Sequence, residues 1–172
     1  MIYLKKIVPW YRLAAILFCM FFFPGIQGQN TISIKASATV VEATGIELIT
    51  LKDISIDEAS AANGILNISP VTDETAGKML VKGKINSTVR LSYLNQLSLV
   101  NTSGEGTLLF KYIVSGNATD NQRASQLLDQ VERIVQFNDK GQYYLWLGGQ
   151  VDLTRAKPGS YTGEFTIQIE YI

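Results

Sequence analysis

Carboxylates are the only side chains in this sequence that could act as a general acid or base near neutral pH, because its 172 residues include no histidine. The lack of imidazole also excludes Ser-His-Asp and Cys-His catalysis and histidine-ligated metals. An enzyme would need a pair of carboxylates, as glycosidases use at separations of about 5 to 9.5 Å. The acidic residues that could supply such a pair are Asp53, Asp57, Glu58, Asp73 and Glu74. Acidic residues in turn-rich segments are ordinary solvated charges, so we predict no catalytic residue, no metal ligand and no cofactor.

Tyr143, Tyr144 and Trp146 form the densest aromatic stretch. Strand alternation would place Tyr144 and Trp146 on one face and Tyr143 on the other. An exposed pair of these rings could stack on a sugar or receive a protein partner. A run that is apolar on both faces is, however, typical of a buried central strand. We therefore favour a core position for Trp146, with a ligand platform at Tyr144 and Trp146 as the alternative.

An alternating stretch near the N-terminus could form a strand that pairs with a partner. The residues on its apolar face are Ile32, Ile34, Ala36, Ala38 and Val40. A strand of this pattern could add to an open sheet edge of a neighbouring subunit. The same residues would equally cover the core of their own domain. We favour the second interpretation, because the C-terminal strand is complete and the pattern shows no missing strand.

Residues 1–28 have the pattern of a secretory signal segment, with Lys5, Lys6 and Arg12 ahead of an apolar run at residues 13–23. The run is shorter than the about 20 residues of a transmembrane helix, so we expect no permanent membrane span. Removal of these three basic residues from 15 leaves 12 against 15 acidic residues, and it also removes the one cysteine. The exported domain, residues 29–172, would be mildly acidic and free of disulfides. We expect no binding of nucleic acid, which requires a clustered basic surface.

Apolar and polar residues alternate with a period of two along most of the remaining chain, which predicts an all-β fold in a single domain. The predicted strands cover residues 31–40, 46–56, 64–69, 78–84, 89–94, 107–114, 142–147, 150–154 and 161–171. Strands at this spacing favour an antiparallel sandwich. One segment differs, because its apolar residues lie at helical spacing and predict a short helix near residues 120–134. These residues are Leu127, Leu128, Val131, Ile134 and Val135.

The stretch from Gly159 to Phe165 has the pattern Gly-x-Tyr-x-Gly-x-Phe and resembles the C-terminal signature of a bacterial secreted family, domain of unknown function 4402. Upstream, residues 48–56, 64–70 and 79–84 are similar to the first half of that family. The resemblance implies an immunoglobulin-like sandwich similar to pilin and fimbrial adhesin subunits. It implies no catalytic residues.

We therefore expect a non-enzymatic, exported protein of the bacterial envelope, in the periplasm, on the cell surface or outside the cell. Its expected role is structural or adhesive, as a pilin-like subunit that assembles by strand addition with itself or with other envelope subunits. The alternative is a monomeric carbohydrate-binding sandwich that uses Tyr144 and Trp146.

Overall fold

A computed structural model describes residues 31–36, 45–57, 63–128 and 132–172, and for residues 31–36 and 55–57 it describes the backbone alone. The predicted signal segment lies outside these residues. The described chain is all-β, which confirms the predicted class. Its strands are β1 Thr31–Ala36, β2 Glu47–Lys52, β3 Ile54–Asp57, β4 Ile65–Ile68, β5 Gly77–Lys82, β6 Thr88–Tyr93, β7 Gln96–Asn101, β8 Thr107–Asn117, β9 Gln126–Leu127, β10 Glu132–Gln136, β11 Gln142–Asp152, β12 Ser160–Phe165 and β13 Ile167–Tyr171.

Strand β8 shows how the alternating pattern produces the fold. Its buried side chains, among them Phe110, Tyr112 and Val114, alternate with exposed ones such as Leu109 and Lys111. Successive side chains of a strand point to opposite faces, so one face of β8 is removed from water while the other stays at the surface. Each large apolar side chain buried in this way contributes about 1.5–3 kcal/mol.

The larger sheet has ten strands in the order β2-β5-β11-β8-β7-β12-β1-β3, with β4 beside β11 and β9 beside β8. Strands β2 and β3 follow each other in the chain, separated only by Asp53, yet they occupy the two ends of this order. The sheet must therefore curl until its two ends approach each other at Asp53.

The smaller sheet has the order β10-β6-β13. Only Thr166 separates β12 from β13, so the C-terminal stretch belongs to the larger sheet up to Phe165 and to the smaller sheet from Ile167. Buried side chains from both sheets form one core. Its largest fully buried members include Leu91, Leu99, Phe110, Leu145, Leu147, Tyr161 and Phe165. The two sheets thus form the predicted sandwich arrangement, with the core between them.

The helix predicted near residues 120–134 is wrong. In the described part of this segment, Gln122–Ala124 form one 3-10 turn, and β9 and β10 follow it. The Asn121 side chain accepts a hydrogen bond from the Ala124 amide at 3.2 Å, and the Ser125 hydroxyl donates to the Gln122 carbonyl oxygen at 2.6 Å. Short polar side chains that bind the nearby backbone in this way compete with helix formation.

Pairing between distant strands also opposes that helix. β10 pairs antiparallel with β6, which places Ile134 opposite Arg90 and Val135 opposite Val89. Val135 is buried and Ile134 is 59% exposed, so the two residues follow the period of a strand. Val131 lies outside the described residues.

The glycine pair Gly148-Gly149 lies inside β11, which joins two strands that the sequence predicts separately. At Gly148 a Cβ atom would lie 2.3 Å from the carbonyl oxygen of Ile68, and Gly149 has a φ of +152° that favours glycine. β11 pairs with β5 before this point and with β4 after it, while β8 continues along its other side. β7, Gln96–Asn101, has no counterpart among the predicted strands.

Candidate functional site

Strand β1 is the described part of the predicted partner strand. It pairs in parallel with β12 over Thr31–Ala36 and antiparallel with β3 over Thr31–Ile34. Its backbone is therefore paired on both sides within its own sheet. In this register Ile32 lies between Tyr161 of β12 and Ile56 of β3. Ala38 and Val40, the other two residues of the predicted partner strand, lie outside the described residues.

Tyr144 and Trp146, the predicted ligand platform, lie next to each other on the outer face of β11. Their ring centroids are 6.2 Å apart, with an interplanar angle of 26°. Trp146 is 2% exposed, so its ring presents no open face to a sugar, whereas Tyr144 is half-buried. Trp146 does not belong to the core between the sheets. It is buried on the opposite side of β11, beneath surface segments.

Polar side chains hold the segments that cover Trp146. Ser115 pairs with Trp146 in the register, is fully buried and donates a hydrogen bond to the Pro70 carbonyl oxygen at 3.1 Å. The Gln122 side chain donates to the carbonyl oxygens of Pro70 and Asp73 at 3.1 and 2.9 Å. Sequence reasoning missed this cover, because no local pattern connects residues so far apart in the chain.

An open depression of about 330 Å³ borders Trp146. At its rim the Lys78 ammonium lies 2.6 Å from an Asp120 carboxylate oxygen and 5.6 Å from the centroid of the Tyr144 ring. The depression can therefore offer a polar ligand a cation and a carboxylate. The ion pair is partly solvent-exposed, and pairs of this kind contribute at most about 1 kcal/mol to stability.

Among the acidic residues considered as a catalytic pair, Asp73 has a structural role. The Asp73 carboxylate accepts a hydrogen bond from the Ser69 amide at 2.7 Å and so closes a turn. The Glu74 carbonyl oxygen accepts a hydrogen bond from the Lys52 ammonium. Glu58 and the side chain of Asp57 lie outside the described residues. Within the described ranges, no group of three or more His, Cys, Asp or Glu side chains is placed to hold a metal ion.

The Gly-x-Tyr-x-Gly-x-Phe signature forms a buried corner whose centre is Tyr161. Tyr161 is 1% exposed, and its hydroxyl accepts a hydrogen bond from the Lys157 amide and donates one to the Lys157 carbonyl oxygen, both at 2.9 Å. Gly159 has a φ of +142°, and a Cβ atom there would lie 2.6 Å from the Asn101 side-chain oxygen. Phe165 ends the motif as a fully buried core residue. The signature thus stabilises the turn into β12, a role that the sequence analysis did not assign.

These features define an all-β sandwich whose signature residues fold a corner of the structure. Residues 39–171 match the model of the family Domain of unknown function (DUF4402), and the chain belongs to that family. The matched region contains β2 to β13. No curated protein matches the chain. In the part of the chain that the structure describes, no helix has the length and apolar character needed to cross a membrane.

Proposed function

We propose that this chain is a non-enzymatic, exported protein of the bacterial envelope with a structural or adhesive role, and that copies associate by strand addition. The observation that carries the proposal is the position of β1 between β12 and β3. All of its described residues pair with β12, and the first four also pair with β3. A strand of the same pattern from another copy would make the same backbone hydrogen bonds.

Exchange of β1 between copies has a low thermodynamic cost. Domain swapping replaces contacts within one chain by identical contacts between chains, so the gain and loss of hydrogen bonds nearly cancel. If β1 leaves its place, β12 and β3 each expose a row of unpaired backbone groups, which is the template that strand addition requires. A chain that donates its own β1 and accepts the β1 of a neighbour can extend into a fibre.

One feature of the sandwich agrees with an immunoglobulin-like architecture. The Tyr161 hydroxyl binds the backbone four residues upstream, as in the tyrosine corner of that fold. This corner supports the implied similarity to fimbrial subunits, which is part of the proposal.

The test removes residues 29–41 and supplies them again as a synthetic peptide. We expect the shortened chain to fold when the peptide is added and to bind it one to one, as measured by circular dichroism and calorimetry. The matched control is the same peptide with Ser33→Pro and Lys35→Pro, which loses backbone donors in a strand that is paired on both sides. A shortened chain that stays unfolded with the peptide, or that folds without binding it, overturns the proposal.

Carbohydrate binding is the second candidate function, favoured by the depression beside Tyr144. Lys78 and Asp120 can bind sugar hydroxyls while the half-buried Tyr144 ring supplies an apolar contact. Trp146 is the only tryptophan after residue 28 and borders the depression, so its fluorescence reports binding. Saturable quenching by a glycan that is lost in Tyr144→Ala supports this role, and the absence of any response across a glycan panel contradicts it.

A further inference from the structure

The outer face of the larger sheet carries exposed aliphatic residues on three adjacent strands. They are Val100 on β7, Leu109 and Ile113 on β8, and Leu127 on β9, with exposures of 53%, 49%, 43% and 49%. The register confirms that they share a face. Val100 pairs with Thr107, Ser98 with Leu109, and Ser115 with Leu127. Thr107, Leu109 and Ile113 alternate with buried residues of β8, and Ser115 is on their face although surface segments cover it. We call these four residues the aliphatic face.

The aliphatic face contains few charges. Lys111 is the one charged outward residue on β7, β8 and β9, the adjacent β11 contributes Asp152, and β12 contributes Glu164 on the other side of β7. Within the described residues Lys111 forms no ion pair. Asp152 accepts hydrogen bonds from the Thr154 amide and hydroxyl at 2.9 and 2.6 Å, and these bonds hold the pKa of its carboxyl below the ordinary value. One cation and one anion therefore lie on adjacent strands of the same face.

The outer face of the smaller sheet provides a contrast. Its exposed aliphatic residue, Ile134, pairs with Arg90, which forms an ion pair with Glu170 at 2.8 Å. Glu132 and Gln168 also point outward from its strands. A charged neighbourhood keeps this face hydrated, whereas grouped apolar residues with polar neighbours are typical of interaction surfaces.

We propose that the aliphatic face packs against the same face of a second copy. In a two-fold dimer each surface patch meets its own equivalent, so a face with both Lys111 and Asp152 is complementary to itself. The Lys111 ammonium would lie opposite Asp152 of the partner subunit, and the aliphatic side chains would be removed from water. Another partner would need to supply both charges at the matching spacing, which a second copy provides by symmetry.

The aliphatic face lies within a wider outer surface of the larger sheet, and the area of this surface predicts a weak dimer. Five strands of the surface, β12, β7, β8, β11 and β4, taken over about six residues each, cover about 24 by 20 Å, or about 500 Å². Two such faces bury about 1,000 Å², which is near the lower limit of specific interfaces. We therefore expect a dissociation constant in the micromolar range. The proposed contact does not involve β1. It joins only two copies, whereas strand addition can join many copies into a fibre.

Sedimentation equilibrium tests the proposal on the chain expressed in full and purified as the cell processes it. We expect a reversible monomer–dimer equilibrium and at least a tenfold weaker association in Ile113→Asp. The matched control is Ile134→Asp, which places the same charge at an exposed isoleucine on the other outer face and should leave association unchanged. Circular dichroism establishes that both variants fold.

Charge reversal provides a second measurement. Lys111→Glu places like charges across the proposed contact and should weaken the dimer, with the effect largest at low salt. A wild-type chain that is monomeric up to about 200 μM overturns the proposal, and so does an equal effect of Ile113→Asp and Ile134→Asp. Association that is equally strong in the wild type and in Ile113→Asp also overturns it, and loss of that association on removal of residues 29–41 would then favour strand addition.

Discussion

Two buried tyrosines, Tyr161 at the start of β12 and Tyr112 in the middle of β8, have opposite hydroxyl environments. Both belong to the core and both rings are almost fully removed from solvent. The Tyr161 hydroxyl makes two hydrogen bonds to the backbone of Lys157. The Tyr112 hydroxyl is buried and has no hydrogen-bond partner among the described residues.

The difference shows which part of each side chain the fold uses. At Tyr161 the hydroxyl fixes the turn that precedes β12, so the phenol has both an apolar and a polar role. At Tyr112 the ring makes edge-to-face contacts with Phe110 and Phe165, with centroids 5.0 and 4.6 Å apart. Its hydroxyl adds a desolvation cost that no hydrogen bond in the described structure offsets. The same residue type therefore stabilises the chain through different atoms.

Replacement of Phe165 should produce the largest loss of stability. Phe165 belongs to the same motif as Tyr161, and its ring packs against the ring of Tyr112. Phe165 ends the signature motif and its ring contacts those of Tyr112 and Tyr93 at 4.6 and 5.7 Å. We expect Phe165→Ala to lower the free energy of unfolding by about 3–5 kcal/mol, the range for removal of a buried phenylalanine ring. Urea unfolding followed by circular dichroism measures the change. Ile134→Ala, at an exposed position, is the control, and an equal loss in both variants would contradict the assignment of Phe165 to the core.

Removal of the Tyr161 hydroxyl should have the next largest effect. Tyr161→Phe keeps the ring but deletes both hydrogen bonds to Lys157 and leaves that backbone amide without this acceptor. We expect a loss of about 1–3 kcal/mol, the cost of leaving buried or half-buried polar groups unpaired. Hydrogen exchange at the Lys157 amide should accelerate together with this loss. Unchanged exchange at that amide would show that the corner does not depend on the hydroxyl.

The alternating strands were predictable because period two is a local property of the sequence. β8 is an example, since Phe110, Tyr112 and Val114 can be assigned to one face from their spacing alone. The helix prediction failed because the pairing of β10 with β6, about 45 residues away, decides the structure of Glu132–Gln136. The burial of Trp146 also depends on residues distant in the sequence. Strand alternation predicts which face of β11 carries Trp146, but the segment that covers this face is held by the hydrogen bond of Ser115 to Pro70, which only the tertiary structure reveals.

The smallest expected effect on stability at neutral pH belongs to Tyr112→Phe. The variant deletes a buried hydroxyl that has no partner among the described residues, and it keeps the ring contacts with Phe110 and Phe165. We therefore expect the free energy of unfolding to change by less than about 1 kcal/mol, with a gain rather than a loss. A loss as large as that of Tyr161→Phe would indicate that the Tyr112 hydroxyl is hydrogen-bonded in solution, for example to a buried water.

At alkaline pH the free energy of unfolding of Tyr112→Phe should exceed that of the wild-type chain by a larger amount than at neutral pH. Burial raises the pKa of the Tyr112 phenol above its ordinary value of 10.0, because the ionised form would lose its hydration. The unfolded chain ionises near that value while the folded chain keeps the phenol neutral, so this contribution to stability is complete below pH 10 and decreases as the pH rises above it. At one pH unit above the ordinary pKa the free energy of unfolding falls by about 1.4 kcal/mol in the wild-type chain. This loss does not occur in Tyr112→Phe, because phenylalanine has no hydroxyl to ionise. Urea unfolding of both chains at pH 8 and 11 measures the difference. Parallel losses in the two chains would show that Tyr112 ionises equally in both states and hence that its hydroxyl is accessible to water.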